Sequence, residues 1–400
     1  MIQKSIFLLL IACMALSGTA QEITSTRFGK GMMNKIAQDS SWSVKFAPRM
    51  QFLAIEQSDY DGESYQQPVS NFLVRRARLK FSGFAFTPKL KYKMELGLTN
   101  RDIGGASEFT GNAPRYILDA VVKWNFYKNL VLWAGQTKLP GNIERVISSA
   151  NLQLVDRSLL NKRFNIDRDV GFQLRNHFIL GKNVLVREIF SFSQGEGRNI
   201  TTGNLGGYQY TGRLEVLPFG AFKSKGDYKG GDLKREQRAK LLVAATFDMN
   251  KNAVKDRSNQ GGYMRNDIGF YQTDIYTLFL DIMFKYRGFS MMGEYANRNA
   301  KNAVATNSDG QFTGDVVQVG DAFNLQAGYL FLNNWELSGR YTSIRLDEII
   351  TGKDIEEQYT IGVSRYISGH KLKVQSDFSY TTLAGNGKGL MYRLQFDVHF

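Results

Sequence analysis

The 400-residue chain carries 51 Lys and Arg against 37 Asp and Glu, a formal net charge of +14, with 28 Phe, 19 Tyr, 39 Gly and only 6 Pro. No stretch holds 18 uninterrupted apolar residues, which excludes a membrane-spanning helix. The aromatic and glycine content, with no Pro-rich or Ser-rich linker, points to one strand-rich body, and the single cysteine, Cys13, excludes a disulfide framework.

The first twenty residues combine Lys4, an apolar run from Ile6 to Leu16 and the small residues Gly18, Thr19 and Ala20, the pattern of a secretory signal peptide cleaved after Ala20. Leu10-Ile11-Ala12-Cys13 is also similar to a lipoprotein box, in which Cys13 would become a lipidated first residue. Removing 1–20 takes away Lys4 and leaves 50 basic against 37 acidic residues, a charge of +13. Such a balance usually suggests nucleic acid, but export and the placement of the cations at alternating positions argue against that partner.

Residues 21–41 are expected to form a periplasmic N-terminal segment, and residues 42–400 a barrel. The first strand expectation covers about 42–54, with Val44, Phe46, Met50 and Phe52 on one face and Lys45, Arg49 and Gln51 on the other. The second, about 72–85, turns Ala77, Leu79 and Phe81 outward and Arg76, Arg78 and Lys80 inward. The third, about 89–99, sets Leu90, Tyr92, Met94 and Leu96 against Lys91, Lys93 and Glu95. Further segments of the same kind are expected near 116–124, 130–138, 169–178, 184–193, 208–218, 239–247, 275–285, 289–296, 322–330, 335–343, 357–365, 371–380 and 390–400, sixteen in all. Period-two alternation is the mark of a strand with two different faces.

Tight and long connections alternate between these segments, as in outer-membrane barrels with short periplasmic turns and long extracellular loops, and an even strand number puts both chain ends on the periplasmic side. The fold expected is therefore all-β, a 16-stranded antiparallel transmembrane β-barrel. One link breaks the alternation, since the basic stretch Phe219 to Arg238 falls on the short side. The closing strand, Leu390 to Phe400, alternates apolar and polar residues throughout. Its terminal Phe400 resembles the signal read by the outer-membrane barrel assembly machinery of Gram-negative bacteria.

Motifs for catalysis are sparse. His177, His370 and His399 lack metal-ligand spacing, and neither a G-x-S-x-G elbow nor a phosphate-binding loop occurs. His177 is the only loose candidate for a barrel phospholipase, and a solvated lumen residue is the favoured reading; neither enzyme activity nor a cofactor is expected.

The signal that stands out is inward positive charge. Lys45, Arg49, Arg76, Arg78, Lys80, Lys91 and Lys93 crowd the first three strands with Glu95 as the one inward acid. Lys123, Arg175, Arg213, Lys240, Arg340, Lys373 and Arg393 continue the set on later strands. A charge facing lipid near the midplane costs about 2 to 4 kcal/mol, which fixes these residues to the inside. The long connection 139–168 adds Arg145, Arg157, Lys162, Arg163 and Arg168, and is expected either to fold inward and narrow the channel or to cap it from outside. Unpaired cations within a Debye length of about 10 Å add their fields and favour anion entry; neutralisation in ladders with neighbouring acids is the alternative for any single residue.

Several segments together resemble the phosphate-selective porin O and P family in its Bacteroidetes-type form. They are Ala37 to Gln51, Val-Arg-Arg-Ala-Arg-Leu-Lys at 74–80, Gly-Gln-Thr-Lys-Leu-Pro-Gly at 135–141, Arg-Asp-Val-Gly at 168–171, Gly-Arg-Leu-Glu-Val-Leu-Pro at 212–218 and the closing strand. The resemblance implies a sixteen-stranded trimeric barrel in the outer membrane, with a constriction lined by Arg and Lys and with phosphate or polyphosphate as permeant anions. A non-selective general porin, or a barrel serving as a surface adhesin or binding scaffold, is the alternative.

Overall fold

In a strand, successive side chains point to opposite faces, so a wall between lipid and water needs apolar and polar residues in alternation. The computed structural model describes residues 28–112 and 114–400; the expected signal peptide, 1–20, lies outside the described residues. Eighteen strands form one antiparallel sheet. Two of them are short N-terminal pieces, Met33–Ile36 and Ser43–Phe46, which leaves sixteen that close on themselves.

In chain order these sixteen are β1 (Arg49–Asp59), β2 (Val69–Ala85), β3 (Thr87–Gly97), β4 (Ile117–Tyr127), β5 (Leu130–Lys138), β6 (Arg168–Leu180), β7 (Val184–Ser193) and β8 (Gln209–Leu217). They continue as β9 (Lys240–Ala253), β10 (Thr273–Tyr286), β11 (Phe289–Ala300), β12 (Gly320–Leu330), β13 (Trp335–Leu346), β14 (Glu356–Tyr366), β15 (Leu372–Leu383) and β16 (Asn386–His399). Each pairs with its neighbour in sequence, and β16 closes on β1 from Gly389↔Asp59 to His399↔Arg49. Closure leaves no strand edge to meet lipid, which is the condition for a sheet to span a membrane.

The faces are inverted relative to a water-soluble protein. On β16 the outward Phe396 is 40% exposed, while its inward neighbours Gln395 and Asp397 are 1% and 0% exposed. On β14, Tyr359, Ile361 and Val363 are exposed and Gln358, Thr360 and Ser364 are buried. Outward aromatics pair across strands, as Phe52 and Phe396 do over the closing seam with ring centroids 6.5 Å apart.

The sixteen-strand architecture agrees with expectation, and three local features depart from it. The first strand does not run unbroken from 42. Pro48 cannot donate to a ladder, so the chain divides there: Ser43–Phe46 pairs with Met33–Ile36 and touches β2 at Lys45↔Ser82, and β1 begins at Arg49. The β15–β16 hairpin turns at Ala384-Gly385 and extends through much of what reads as a loop. The strict alternation of β2 fails at a bulge, where Gln51↔Arg76 is followed by Phe52↔Val74 and Arg75 is left without a partner residue. Arg75 and Arg76 thereby both reach Asp156 inside the barrel.

The connection 139–167 lies within the lumen. It is built from the short helices Ile143–Val146 and Leu159–Phe164 and a 3-10 turn at Ser149–Asn151. Leu139, Leu160, Phe164 and Ile166 pack against the inward residues Phe279, Ala296, Ala322 and Ile344 of β10 to β13. Ile143, Ile147 and Leu152 pack against Leu217, Leu242, Ala244, Met283 and Met292 of β8 to β11. This inner loop is therefore seated on an apolar strip of one wall, an inward strip that alternation alone would assign to polar residues.

Candidate functional site

With the inner loop seated on β8 to β13, space remains on the side of β2 to β7. A cavity of about 1050 Å³ runs along these strands. At one end it reaches Asn129 and His177, beside the tight turns, and at the other Gly104, Arg198 and Gly261, in the long loops. It is thus a passage through the barrel, bounded by the wall on one side and the inner loop on the other.

Fifteen Lys and Arg line this passage against seven Asp and Glu, an excess of eight positive charges. Part of the set is paired. Arg78 donates to Asp102 at 2.6 Å and to Glu95 at 3.0 Å, and Lys93 lies 2.8 Å from both Glu95 and Asp119. Arg168 reaches Asp119 at 3.2 Å and Asp167 at 3.7 Å, and Arg145 also pairs with Asp167. Arg76 contacts Gln51 and lies 3.9 Å from Asp156.

Six further cations are held by backbone carbonyls or an aromatic face and not by a carboxylate. Lys138 Nζ donates to the carbonyls of Arg145 at 2.7 Å and Ile147 at 3.1 Å. Arg157 donates to the carbonyls of Glu144 at 2.9 Å and Ile147 at 2.7 Å. Lys255 donates to the Glu196 carbonyl at 2.6 Å, and Arg198 donates to the Asp102 carbonyl. On the wall, Lys123 and Arg175 stand 3.5 and 3.8 Å from the Trp133 ring, a cation–π arrangement that fixes both without a carboxylate. Among the described residues none of these six cations has a carboxylate oxygen within 4.0 Å. Burial pushes the loop cations Arg157 and Arg198 down to about 10, and both stay charged at neutral pH.

The residues expected from sequence divide into two groups. Arg76, Arg78, Lys93, Arg145, Arg157 and Arg168 all line the passage. Lys45, Arg49, Lys80, Lys91 and Arg163 do not. Arg49 is buried against Asp397 and Ser149, and Arg163 pairs with Glu356 at 3.0 Å on the far side of the inner loop. Lys80 and Lys91 are exposed near the Phe86 turn, and Lys45 sits on the short strand outside the barrel ring proper. Their inward register was readable, but the depth at which the inner loop meets the wall was not.

Arg101, Arg115, Lys138, Arg187, Arg198, Lys225 and Lys255 line the passage without having been singled out. Arg187 follows from the alternation of β7, whose Leu185, Arg187 and Ile189 all face the passage. Lys138 is the last residue of β5, where the strand's alternation ends and the inner loop begins. The other five come from loops, where no period exists to read. His177 faces the passage with no metal-ligand cluster around it among the described residues.

A family model for phosphate-selective porin O and P matches residues 50–391. The chain belongs to that family. This porin is a β-barrel diffusion channel of the outer membrane, and family and fold point away from catalysis. It matches no curated protein in sequence. Its fold is similar to an anion-selective porin from Comamonas acidovorans, at a TM-score of 0.55 and 11% identity over 90% of this chain and 100% of that one. It is also similar to OmpF from Salmonella typhi, solved in complex with daunomycin, at 0.56 and 12% over 92% and 100%. A third likeness is the outer-membrane channel DcaP of Acinetobacter baumannii, at 0.54 and 11% over 92% and 100%.

Proposed function

We propose that this porin is a passive channel biased toward small oxyanions of the phosphate class, including polyphosphate. The observation that carries the reading is the excess of eight positive charges along the passage, with six cations anchored by carbonyls or by Trp133. A carbonyl or a π face removes little of a cation's field, so an anion entering the passage meets charge fixed in direction. Several weak sites in series favour entry without preventing exit. Arg76, Arg78, Lys93, Arg145, Arg157 and Arg168 serve as the anion-binding positions in this reading, joined by Lys123, Lys138 and Arg175. The acids beside Arg78, Lys93 and Arg168 moderate the field, which suits a bias among anions better than tight capture of one.

Export by residues 1–20, insertion into outer-membrane lipid through the assembly machinery that reads Phe400, and association as a homotrimer complete the proposal. They rest on the sequence of the first segment, on the aromatic end of β16 and on family membership. Planar-bilayer recording tests the channel reading. In a KCl gradient the reversal potential takes the sign of chloride permeation, and added phosphate lowers the chloride current. A cation-selective reversal potential rejects the proposal.

A further inference from the structure

The link between β8 and β9, residues 218–239, is the one long connection at the tight-turn end of the barrel. It packs against the inner loop. Phe222 is 4% exposed and sits in the same apolar cluster as Ile143, Ile147 and Leu152 of the inner loop. Gly230 N donates to the Asn151 carbonyl at 2.7 Å. The approach there is so close that a Cβ on Gly230 would stand 2.5 Å from the Gln153 nitrogen. Two segments entering from opposite ends thus share one core.

The segment is also fixed to the wall. Lys285, 2% exposed on β10, donates to the carbonyls of Gly226, Lys229 and Gly231 at 2.8, 2.7 and 2.5 Å. Asp232 accepts from Gly288 N at 2.9 Å, and Asp227 pairs with Arg187 of β7. One buried ammonium satisfied by three backbone carbonyls fixes the course of an otherwise irregular stretch. Ala221, Phe222, Lys225, Asp227 and Tyr228 of this segment line the passage, at the end that holds Trp133 and His177.

We infer that residues 218–239 are a second narrowing element, which packs under the inner loop and sets the largest anion the passage admits. The inference rests on the channel reading and adds a place where size, rather than charge, is selected. The inner loop alone would leave its lower face, including Ile147 and Leu152, open to the lumen water. Phe222 closes that face, and the aperture is then bounded by the segment on one side and the β5 to β7 wall on the other.

Three variants test it, each checked for a folded barrel by its heat-modifiable mobility on gels. Replacing 221–231 with a short Gly-Asn turn, or introducing Gly230→Leu to wedge the segment off the inner loop, is expected to raise single-channel conductance about twofold or more. In liposome swelling the same variants should admit citrate faster, relative to phosphate, than the parent does. Lys225→Cys leaves the packing intact, since Lys225 is exposed, and its reaction with thiol reagents of rising size should reduce conductance in steps. Folded variants with parental conductance and size limit, or a Lys225→Cys pore indifferent to the reagents, would overturn the inference. A parent that does not conduct at all would instead defeat the channel reading.

Discussion

Arg49 of β1 and Asp397 of β16 meet at 2.7 Å across the seam where the barrel closes. The guanidinium also donates from Nε to the same carboxylate at 3.0 Å, and to the Ser149 hydroxyl and carbonyl at 2.7 and 3.1 Å. One side chain therefore ties the first strand, the last strand and the inner loop. Arg49→Ala leaves Asp397 buried without this cation, and removing one partner of a buried pair costs about 3 to 5 kcal/mol. Urea unfolding of the barrel in detergent micelles should show a clearly lower midpoint. Arg49→Lys should fall between, because an ammonium cannot span both carboxylate oxygens and Ser149 in the geometry of the planar fork. An unchanged midpoint for Arg49→Ala would remove the seam from the explanation of stability.

Arg76 and Arg78 contribute charge to the passage from one strand, and Arg78 in addition holds Asp102 and Glu95. Arg76→Gln with Arg78→Gln removes two positive charges and leaves Asp102 without its guanidinium partner, while Lys93 still holds Glu95. Reversal potentials in a KCl gradient should move toward zero, and the shift should shrink in high salt, where the Debye length falls to about 3 Å at 1 M. A double variant with the parental reversal potential would show that the selecting charges lie elsewhere along the passage.

The acid at Asp156 makes the opposite prediction. Its carboxyl sits in the inner loop between Arg75, Arg76 and Arg101. Burial by itself would raise its pKa, but the neighbouring guanidinium groups outweigh burial and hold it well below the usual carboxylate range. A depressed carboxylate stabilises the fold above its unfolded pKa of about 4, and that contribution is lost only as the pH falls through the lower folded value. Asp156→Asn should therefore lower the unfolding midpoint at neutral pH while increasing anion preference, since Arg75 and Arg76 keep their charge without compensation. Lower anion preference in that variant would contradict the electrostatic reading of the passage.

Which features the sequence made legible follows from which forces leave a period. The alternation of Leu390 to Phe400 reflects a wall with lipid on one side and water on the other, and enough of it recurs along the barrel strands that strand number and most of the inward register were readable. The inward reach of Arg75 was not legible, because a bulge adds one residue to β2 and re-aims it, which no period-two count anticipates. Phe279 and Leu242 are inward and apolar because the inner loop packs on them, a tertiary condition absent from the strands' own pattern. The division of the cations into passage and non-passage residues has the same cause. Arg49 and Arg78 lie in register on neighbouring strands, and the course of residues 139–167 decides that Arg49 is held against Ser149 while Arg78 lines the passage.

Lys255 provides the pH prediction. It lies in the hairpin beyond β9, with its amine donating to the Glu196 carbonyl and standing 4.5 Å over the Tyr263 ring. Burial pushes its pKa down to about 8. The amine is charged below that value and loses its proton as the pH rises through it, so anion preference should fall between about pH 7 and pH 9, well before ordinary lysines near 10.4 titrate. The stability effect has the reverse sign from that of an ion-paired lysine. The folded state binds the proton more weakly than the unfolded state, the penalty is fully present below about 8, and it is relieved as the pH rises toward 10.4. Reversal potentials measured across this range should show the step in the parent and lose it in Lys255→Met. If both proteins follow one curve, the Lys255 charge is not felt by permeating anions, and the outer end of the passage is selected by shape alone.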